Sequence, residues 1–398
     1  MIDKPVRVLF ISTQPFFEWR GSSIRVKFNM LALESLGIKV DLLTLPIGRD
    51  EPEIKSDIYR VPRIPWISGV PIGPSLPKLI FDIFILFKAF SLGFRNRYDV
   101  IHATEEGGMI AWLVGRLSGA KSIYEKHSDP SSYRKKGLRN LLMKAYQATE
   151  IFTARHVDSV ICTGPGLVQQ VRRYTPDATV WHIADVPSSR FEPSVDDVSS
   201  ARELLQEDPE EVLVTYVGSF AVYQGIDLLF ETIPKVIANH PKARFVVVGG
   251  SDEEIVQYRQ QLGDVAARVR FTGEVAPDTL AAYLSASDIL LAPRRAGINT
   301  PLKILDYFKA AGAIVATDNE ANRLIVDETC ALLCEFNPSA FAHAIGELID
   351  SPSLRKTLAD EGYRRYQTTF NFETFRRLLG EVYLQLVGNN RGINALSH

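Results

Sequence analysis

Three cysteines in 398 residues, Cys162, Cys330 and Cys334, are too few and odd in number to form a disulfide framework, which points to a reducing compartment. Cys330 and Cys334 stand four apart with no histidine or second cysteine pair beside them. That spacing favours two structural thiols over a zinc site. Basic charge is not in surplus: 45 Lys and Arg against 47 Asp and Glu leave a net charge of −2. A broad nucleic-acid surface is therefore not expected, although a local basic patch is not excluded. The start of the chain, Met1 to Pro5, runs directly into the apolar stretch Val6–Ile11, without the charged, apolar and cleavage regions of a signal peptide. No apolar run reaches the ~20 residues of a membrane span. The most apolar stretch, Leu76–Leu92, is interrupted by Lys78, Asp82 and Lys88. It reads either as a buried helix or as a helix that touches a membrane surface.

What the sequence does contain is ordinary globular material for two cores, 46% apolar and 23% charged residues. In the first half, strands are expected at Val6–Ile11, Lys39–Leu45, Asp99–His102, Lys121–Tyr124 and Ser159–Thr163, with a helix over Ser23–Leu36. The pattern fades between Val186 and Glu211, where Pro187, Ser188, Ser189, Pro193 and Ser194 suggest a connection, and the acidic pair Asp196-Asp197 falls within it. It then restarts with strands at Glu211–Val217, Ala243–Val248, Arg268–Thr272, Asp288–Ala292 and Ala313–Ala316. Helices are expected over Leu228–His240, Asp278–Ala286 and Thr300–Ala311, and helical pattern runs from Pro352 to Val387. Strands alternating with helices imply parallel βαβ units. The chain thus reads as α/β, with two Rossmann-like doubly wound domains. The first spans 1–187 and is completed by a C-terminal helix 372–390; a linker occupies 188–210; the second domain spans 211–371. Such sheets bind ligands outside the carboxyl ends of their strands. If those ends face one another across an interdomain cleft, a donor on one domain can meet an acceptor on the other.

The segment from Pro293 to Phe308 is a strand end, a loop and a helix start. Thr300 suits an N-cap and Pro301 the first helical position. A helix N-terminus offers free amides and a positive dipole, so a diphosphate can dock there. Lys303 falls in the first turn and Asp306 one turn later on about the same face. Read one way, these two form a surface ion pair; read the other way, Lys303 meets phosphate and Asp306 accepts from two vicinal ribose hydroxyls. Arg20-Gly21-Ser22-Ser23 follows the first strand, as a plain βα turn or as a glycine loop that lets backbone approach phosphates. His127, after the strand at Lys121, and His102 each read as structural or functional, with structure favoured for His102. Glu105 and Glu106, beside Gly107-Gly108, are possible acceptor contacts.

The stretch Thr300–Asp318, with Lys303, Asp306, Tyr307, Gly312 and the strand Ile314–Thr317, resembles the donor-site segment of the family 4 retaining glycosyltransferases. The resemblance covers nearly the whole chain and implies the GT-B fold. That family carries a Glu, seven residues, then a second Glu. Asp306 matches the second, one methylene shorter, and Ile298 stands where the first would be. The resemblance implies that Asp306 holds the donor ribose and puts the sugar contacts in question. Val214–Leu229, with Gly218-Ser219 and Gln224-Gly225, is similar to the segment that opens the family's second domain. Many members place an Arg and a Lys where this chain has Ser219 and Gln224, which can donate hydrogen bonds but carry no charge. The loop ending Gly273-Glu274-Val275 is similar to one whose backbone reads the base. His127 matches a family histidine near the transferred sugar.

By this resemblance the chain is expected to be a cytoplasmic retaining glycosyltransferase, possessing peripheral contact with the inner face of a membrane. It would move a sugar from a nucleotide diphosphate sugar to a glycan, lipid-linked or small-molecule acceptor. His127 and Lys303 would serve the transfer. Gly21, Ser22, Gly218, Ser219, Gln224, Val275, Asn299, Thr300, Leu302 and Asp306 would bind the nucleotide sugar. No cofactor and no metal are expected, since no ligand cluster or suitably placed Asp-x-Asp is apparent; the diphosphate charge would be offset by amides, Lys303 and Arg294 or Arg295. Two alternatives remain: a degenerate subunit that binds sugar nucleotide without turnover, and a sugar-nucleotide epimerase.

Overall fold

Short runs rich in β-branched and aliphatic residues make thirteen strands among the described residues, and every strand pairing is parallel. The computed structural model describes residues 5–17, 21–65, 67, 69, 76–128, 138–296 and 300–388. They fall into two units, Met1–Asp185 with Phe372–His398, and Val186–Asn371.

The first unit holds β1 (Arg7–Ile11), α1 (Gly21–Ser35), β2 (Lys39–Thr44), β3 (Asp57–Arg60), α2 (Leu76–Asn96), β4 (Val100–Thr104), α3 (Gly107–Ser118), β5 (Lys121–Lys126), α4 (Leu138–His156), β6 (Ser159–Cys162), α5 (Pro165–Tyr174) and β7 (Val180–His182). Its sheet runs β3-β2-β1-β4-β5-β6-β7, so the strand order reverses between β1 and β4. The second unit holds α6 (Val195–Leu205), β8 (Val212–Val217), α7 (Ile226–Asn239), β9 (Ala243–Val248), α8 (Asp252–Leu262), β10 (Val269–Gly273), α9 (Pro277–Ser285), β11 (Ile289–Ala292), α10 (Leu302–Lys309), β12 (Ala313–Thr317), β13 (Ala331–Cys334), α11 (Pro338–Asp350) and α12 (Pro352–Thr368). Its sheet runs β10-β9-β8-β11-β12-β13 and reverses between β8 and β11. The last helix, α13 (Phe372–Val387), belongs to the first unit, where Phe375, Leu379, Val382 and Tyr383 are buried.

Central strands of a parallel sheet are covered on both faces, so β9, β11 and β12 are buried at every residue. Edge strands β3, β7 and β13 are short and only partly buried, so their apolar pattern is weak and the sequence reading passes over them. The helical pattern from Pro352 to Val387 is two helices, divided at residues 369–371, and the second begins at Phe372, where the C-terminal helix is expected. The expected linker 188–210 also carries structure. Ser194 caps α6 through a reciprocal box with Asp197, and Ala201 and Leu205 enter the core of the second unit. Asp196 and Asp197 thus sit in the first turn of a helix, where acidic charge suits the dipole. The cysteines are free thiols; Cys162 and Cys330 are buried.

Candidate functional site

In the second unit the strand reversal puts the ends of β8 and β11 side by side, the position at which doubly wound sheets bind ligands. Gly218, just past β8, has φ 147°, and a Cβ there would come within 2.7 Å of Lys303 Nζ and 3.0 Å of Tyr216 Oη. A side chain at 218 would therefore displace the ammonium. Gly225 has φ 74°, and a Cβ on it would collide with the Pro293 carbonyl at 1.7 Å, so the turn after β8 lies directly on the end of β11.

α10 starts later than expected. Thr300 precedes a proline, which disfavours helical dihedrals, so the chain enters the helix only after Pro301. Pro301 occupies the N-cap position with φ −77° and ψ 92°, and no side chain caps the turn. Proline has no N–H, but the amides of Leu302 and Lys303 lack intrahelical partners. Lys303 Nζ lies 4.5 Å from the Tyr216 ring centroid. Among the described residues no carboxylate lies within ion-pair distance of it, so the Lys303–Asp306 surface pair is not formed. Burial, and then the neighbouring Arg294 guanidinium, push the Lys303 ammonium down to about 7.

Arg294 packs 5.9 Å from the Tyr223 ring and donates from Nε to the Ala296 carbonyl at 2.9 Å. Arg295 is engaged elsewhere: it pairs with Asp227 and lies 4.5 Å from the Phe336 ring centroid. Of the two arginines, Arg294 is thus the one whose charge acts on Lys303. The Ser219 carbonyl accepts from Tyr216 Oη at 2.9 Å, while Gln224 Oε1 is buried without a hydrogen-bond partner. Val275 and Leu302 pack against the same apolar cluster as Leu305 and Ala292. Asp306 accepts from the Ser188 amide and hydroxyl and lines a recess with Ser189, Pro277, Leu280 and Lys309. Burial raises its carboxyl to about 6. Asn299 and Ile298 lie outside the described residues.

In the first unit Gly21 and Ser22 open α1, rather than forming a loop ahead of it. Arg20 lies outside the described residues. Past the reversal between β1 and β4, Glu105 takes a left-handed φ of 49°. Its Oε1 accepts from the His127 amide at 3.2 Å and from the Ser128 hydroxyl at 3.0 Å. Glu106 pairs with Lys78 at 2.5 Å and accepts from Thr13 at 3.2 Å. Both glutamates, read from sequence as possible acceptor contacts, are therefore engaged within the unit.

The residue that sequence reasoning passed over is Glu125, on β5. It is fully buried and gathers Arg25 Nε at 2.6 Å, Asn29 Nδ2 at 2.8 Å and His102 Nε2 at 3.1 Å. His127 Nε2 lies 3.4 Å from its other oxygen, at ion-pair distance but without hydrogen-bond geometry. Burial would raise the Glu125 carboxyl, yet Arg25 and the two histidines hold it well below the usual range. For His127, burial opposes the charge, but Glu125 and Glu105 outweigh it and raise the imidazole above its ordinary value. His102 is lowered by burial despite Glu125. Its Nδ1 meets Tyr383 Oη at 2.9 Å, which ties α13 to the sheet and bears out a structural role. The sequence signal for Glu125 was a carboxylate two residues before His127, on the same face of a strand.

Comparison with known proteins agrees with this architecture. Residues 211–351 match the family model described as glycosyl transferases group 1, and residues 20–184 match the glycosyl transferase 4-like domain. The chain belongs to this glycosyltransferase family, with the GT-B fold of two Rossmann-like units. It is 26% identical to phosphatidyl-myo-inositol mannosyltransferase of Mycobacterium tuberculosis, over 49% of this chain and 53% of that one. The match thus spans about half the length of that relative. It is 28% identical to D-inositol 3-phosphate glycosyltransferase of Rhodococcus opacus, over 97% of this chain and 92% of that one. Among solved structures, sucrose-phosphate synthase from Thermosynechococcus elongatus superposes with a TM-score of 0.74 at 23% identity, covering 96% of this chain and 99% of that chain. Anabaena HepE in complex with UDP superposes with a TM-score of 0.71 at 15% identity, covering 96% and 100%.

Proposed function

We propose that the protein is a retaining glycosyltransferase that uses a nucleotide diphosphate sugar. The diphosphate binds the second unit at the N-terminus of α10, against the free amides, Lys303 and Arg294. Asp306 takes the ribose hydroxyls, and the acceptor binds the first unit, where His127 serves the transfer step. The bond from the anomeric carbon to the phosphate oxygen breaks, and a bond to the acceptor oxygen forms on the same face. The acceptor proton passes to the departing diphosphate, so no side-chain base is required. Lys303 and Arg294 offset the charge that grows on the leaving group, and we propose that no metal is needed.

The observation that carries this reading is Lys303: a half-buried ammonium over Gly218 and Tyr216, at a helix N-terminus, with no carboxylate partner among the described residues. Such a cation is arranged for an anion from outside the chain. The names of the relatives support an inositol-phosphate or lipid-linked acceptor, and the UDP bound in one of the superposed structures supports a nucleotide donor. A screen of UDP-, GDP- and ADP-sugars by thermal stabilisation tests the donor, since a ligand at 100 times its Kd stabilises by about 2.7 kcal/mol. Hydrolysis and transfer assays on the hits follow. Stabilisation without turnover with any inositol-phosphate or lipid acceptor would mean a binding subunit.

We propose further that the protein works in the cytoplasm at the inner face of a membrane, through α2. No helix of the described residues is long and apolar enough to cross a membrane. α2 buries Phe81, Ile85, Ala89 and Leu92 but exposes Leu79, Ile83, Phe84, Phe87 and Phe94, with Phe87 68% exposed. Lys88 and Arg95 are exposed on the same helix, and this pairing of aromatic and basic side chains suits an anionic lipid surface.

A further inference from the structure

A carboxylate buried as completely as Glu125 is costly unless it is paired and hydrogen-bonded. Arg25 meets that cost, and Arg25 is itself held by the Ala184 carbonyl at 2.8 Å, Asp185 at 3.3 Å and the Phe375 ring, 4.5 Å away. The carboxylate is therefore rigid. The two histidines that share it differ. His102 is wholly buried and both its nitrogens are taken, one by Glu125 and one by Tyr383. His127 is half-buried, and its Nε2 faces Glu125 while Nδ1 has no hydrogen-bond partner among the described residues. Its backbone is held independently, by Glu105 through the amide.

We infer that Glu125 is the positioning residue for His127: its rigid carboxylate accepts a hydrogen bond from Nε2–H and leaves Nδ1 as the ring nitrogen presented to a substrate hydroxyl. The inference rests on the reading that His127 serves the transfer step. A small turn of the ring converts the 3.4 Å contact into a hydrogen bond, and the choice of nitrogen is then made by the protein rather than by solvent. The charged and titratable groups around His127 are Glu125 on β5, Glu105 after β4, Arg25 on α1, His102 on β4 and Asp185. Of these, Glu125 is the one within ion-pair distance of the ring.

Nitrogen-15 NMR of the histidine rings, with His127 assigned by its loss in His127→Gln, tests this on the full chain. The expected result is an Nε2–H tautomer in the neutral form and titration above the ordinary histidine value of about 6.5. In Glu125→Gln the titration should move down, and the acid limb of the kcat profile should move with it. Nucleotide Kd, read on the second unit, should be unchanged. A neutral Nδ1–H tautomer in the unsubstituted protein, or a titration that Glu125→Gln does not shift, overturns the inference. If Glu125→Gln fails to fold once Arg25 loses this carboxylate, the tautomer of the unsubstituted protein decides alone. His127→Ala separates the two readings: normal turnover in that variant removes the role of His127, whatever tautomer the ring adopts.

Discussion

The Asp306 carboxylate accepts two hydrogen bonds from one residue, Ser188, at 2.7 Å from the amide and 3.0 Å from the hydroxyl. The two are 118 residues apart in the chain. Asp306 is thereby oriented before any ligand arrives, and a ribose would add its hydroxyls to an acceptor already in place. Asp306→Ala should weaken nucleotide binding by about 1–3 kcal/mol, the scale of a hydrogen bond to a charged group. The fold should survive with a lowered Tm, because the Ser188 amide loses its partner. Isothermal titration reads the first effect and thermal melting the second; unchanged nucleotide affinity would remove Asp306 from the site.

The same carboxyl has a pH signature. Burial raises it to about 6, so below that pH it is protonated and is a poorer acceptor for ribose hydroxyls. Nucleotide affinity should therefore increase as pH rises through about 6. For folding the sign is opposite. The raised value means that ionisation costs more in the fold than in the unfolded chain, so the Asp306 contribution to stability fades as pH rises through the same window. In Asp306→Asn both dependences should disappear.

Lys303 gives the complementary limb. Burial and Arg294 lower it to about 7, so above that pH the free protein loses the ammonium and diphosphate must bring a proton with it. Nucleotide affinity should fall as pH rises past about 7, with proton uptake measurable by titration in buffers of different ionisation enthalpy. Because the diphosphate charge grows as the glycosidic bond breaks, Lys303→Ala should lower kcat more than it raises KM, on the order of 10²-fold in rate. Lys303→Arg should recover only part, since a planar fork replaces a compact ammonium. A kcat equal to that of the unsubstituted enzyme in Lys303→Ala would transfer this role to Arg294, which Arg294→Ala then tests.

Activity should persist in excess chelator, since amides and two cations are proposed to carry the counter-charge. Loss of turnover restored by magnesium or manganese would show a metal in the step.

Binding to anionic vesicles should follow α2. A double substitution, Phe87→Ser with Phe94→Ser, removes two of its exposed rings and should reduce flotation with phosphatidylglycerol vesicles at low salt. Lys88→Ala should weaken binding by about 1 kcal/mol. No flotation of the unsubstituted chain would leave the exposed face of α2 without a lipid partner.

Much of the architecture was legible in the chain itself. Buried parallel strands such as Ile289–Ala292 are continuous apolar runs, and their alternation with helical segments determined the two doubly wound units. The order Pro-Leu-Lys-Ile-Leu-Asp determined that Lys303 and Asp306 share a turn of helix, because helical spacing is local. What these residues meet was decided by the tertiary structure. Lys303 reads as a surface lysine until Tyr216 and Gly218 are folded against it, and Asp306 reads as its ion-pair partner until Ser188 arrives. The β5 sequence Lys-Ser-Ile-Tyr-Glu-Lys looks half-polar, yet it lies fifth from one edge and third from the other in its sheet and is buried at five of six positions. Burial depends on neighbours from distant parts of the chain. That dependence turned Glu125 from a strand glutamate into the carboxylate that orders Arg25, His102 and His127.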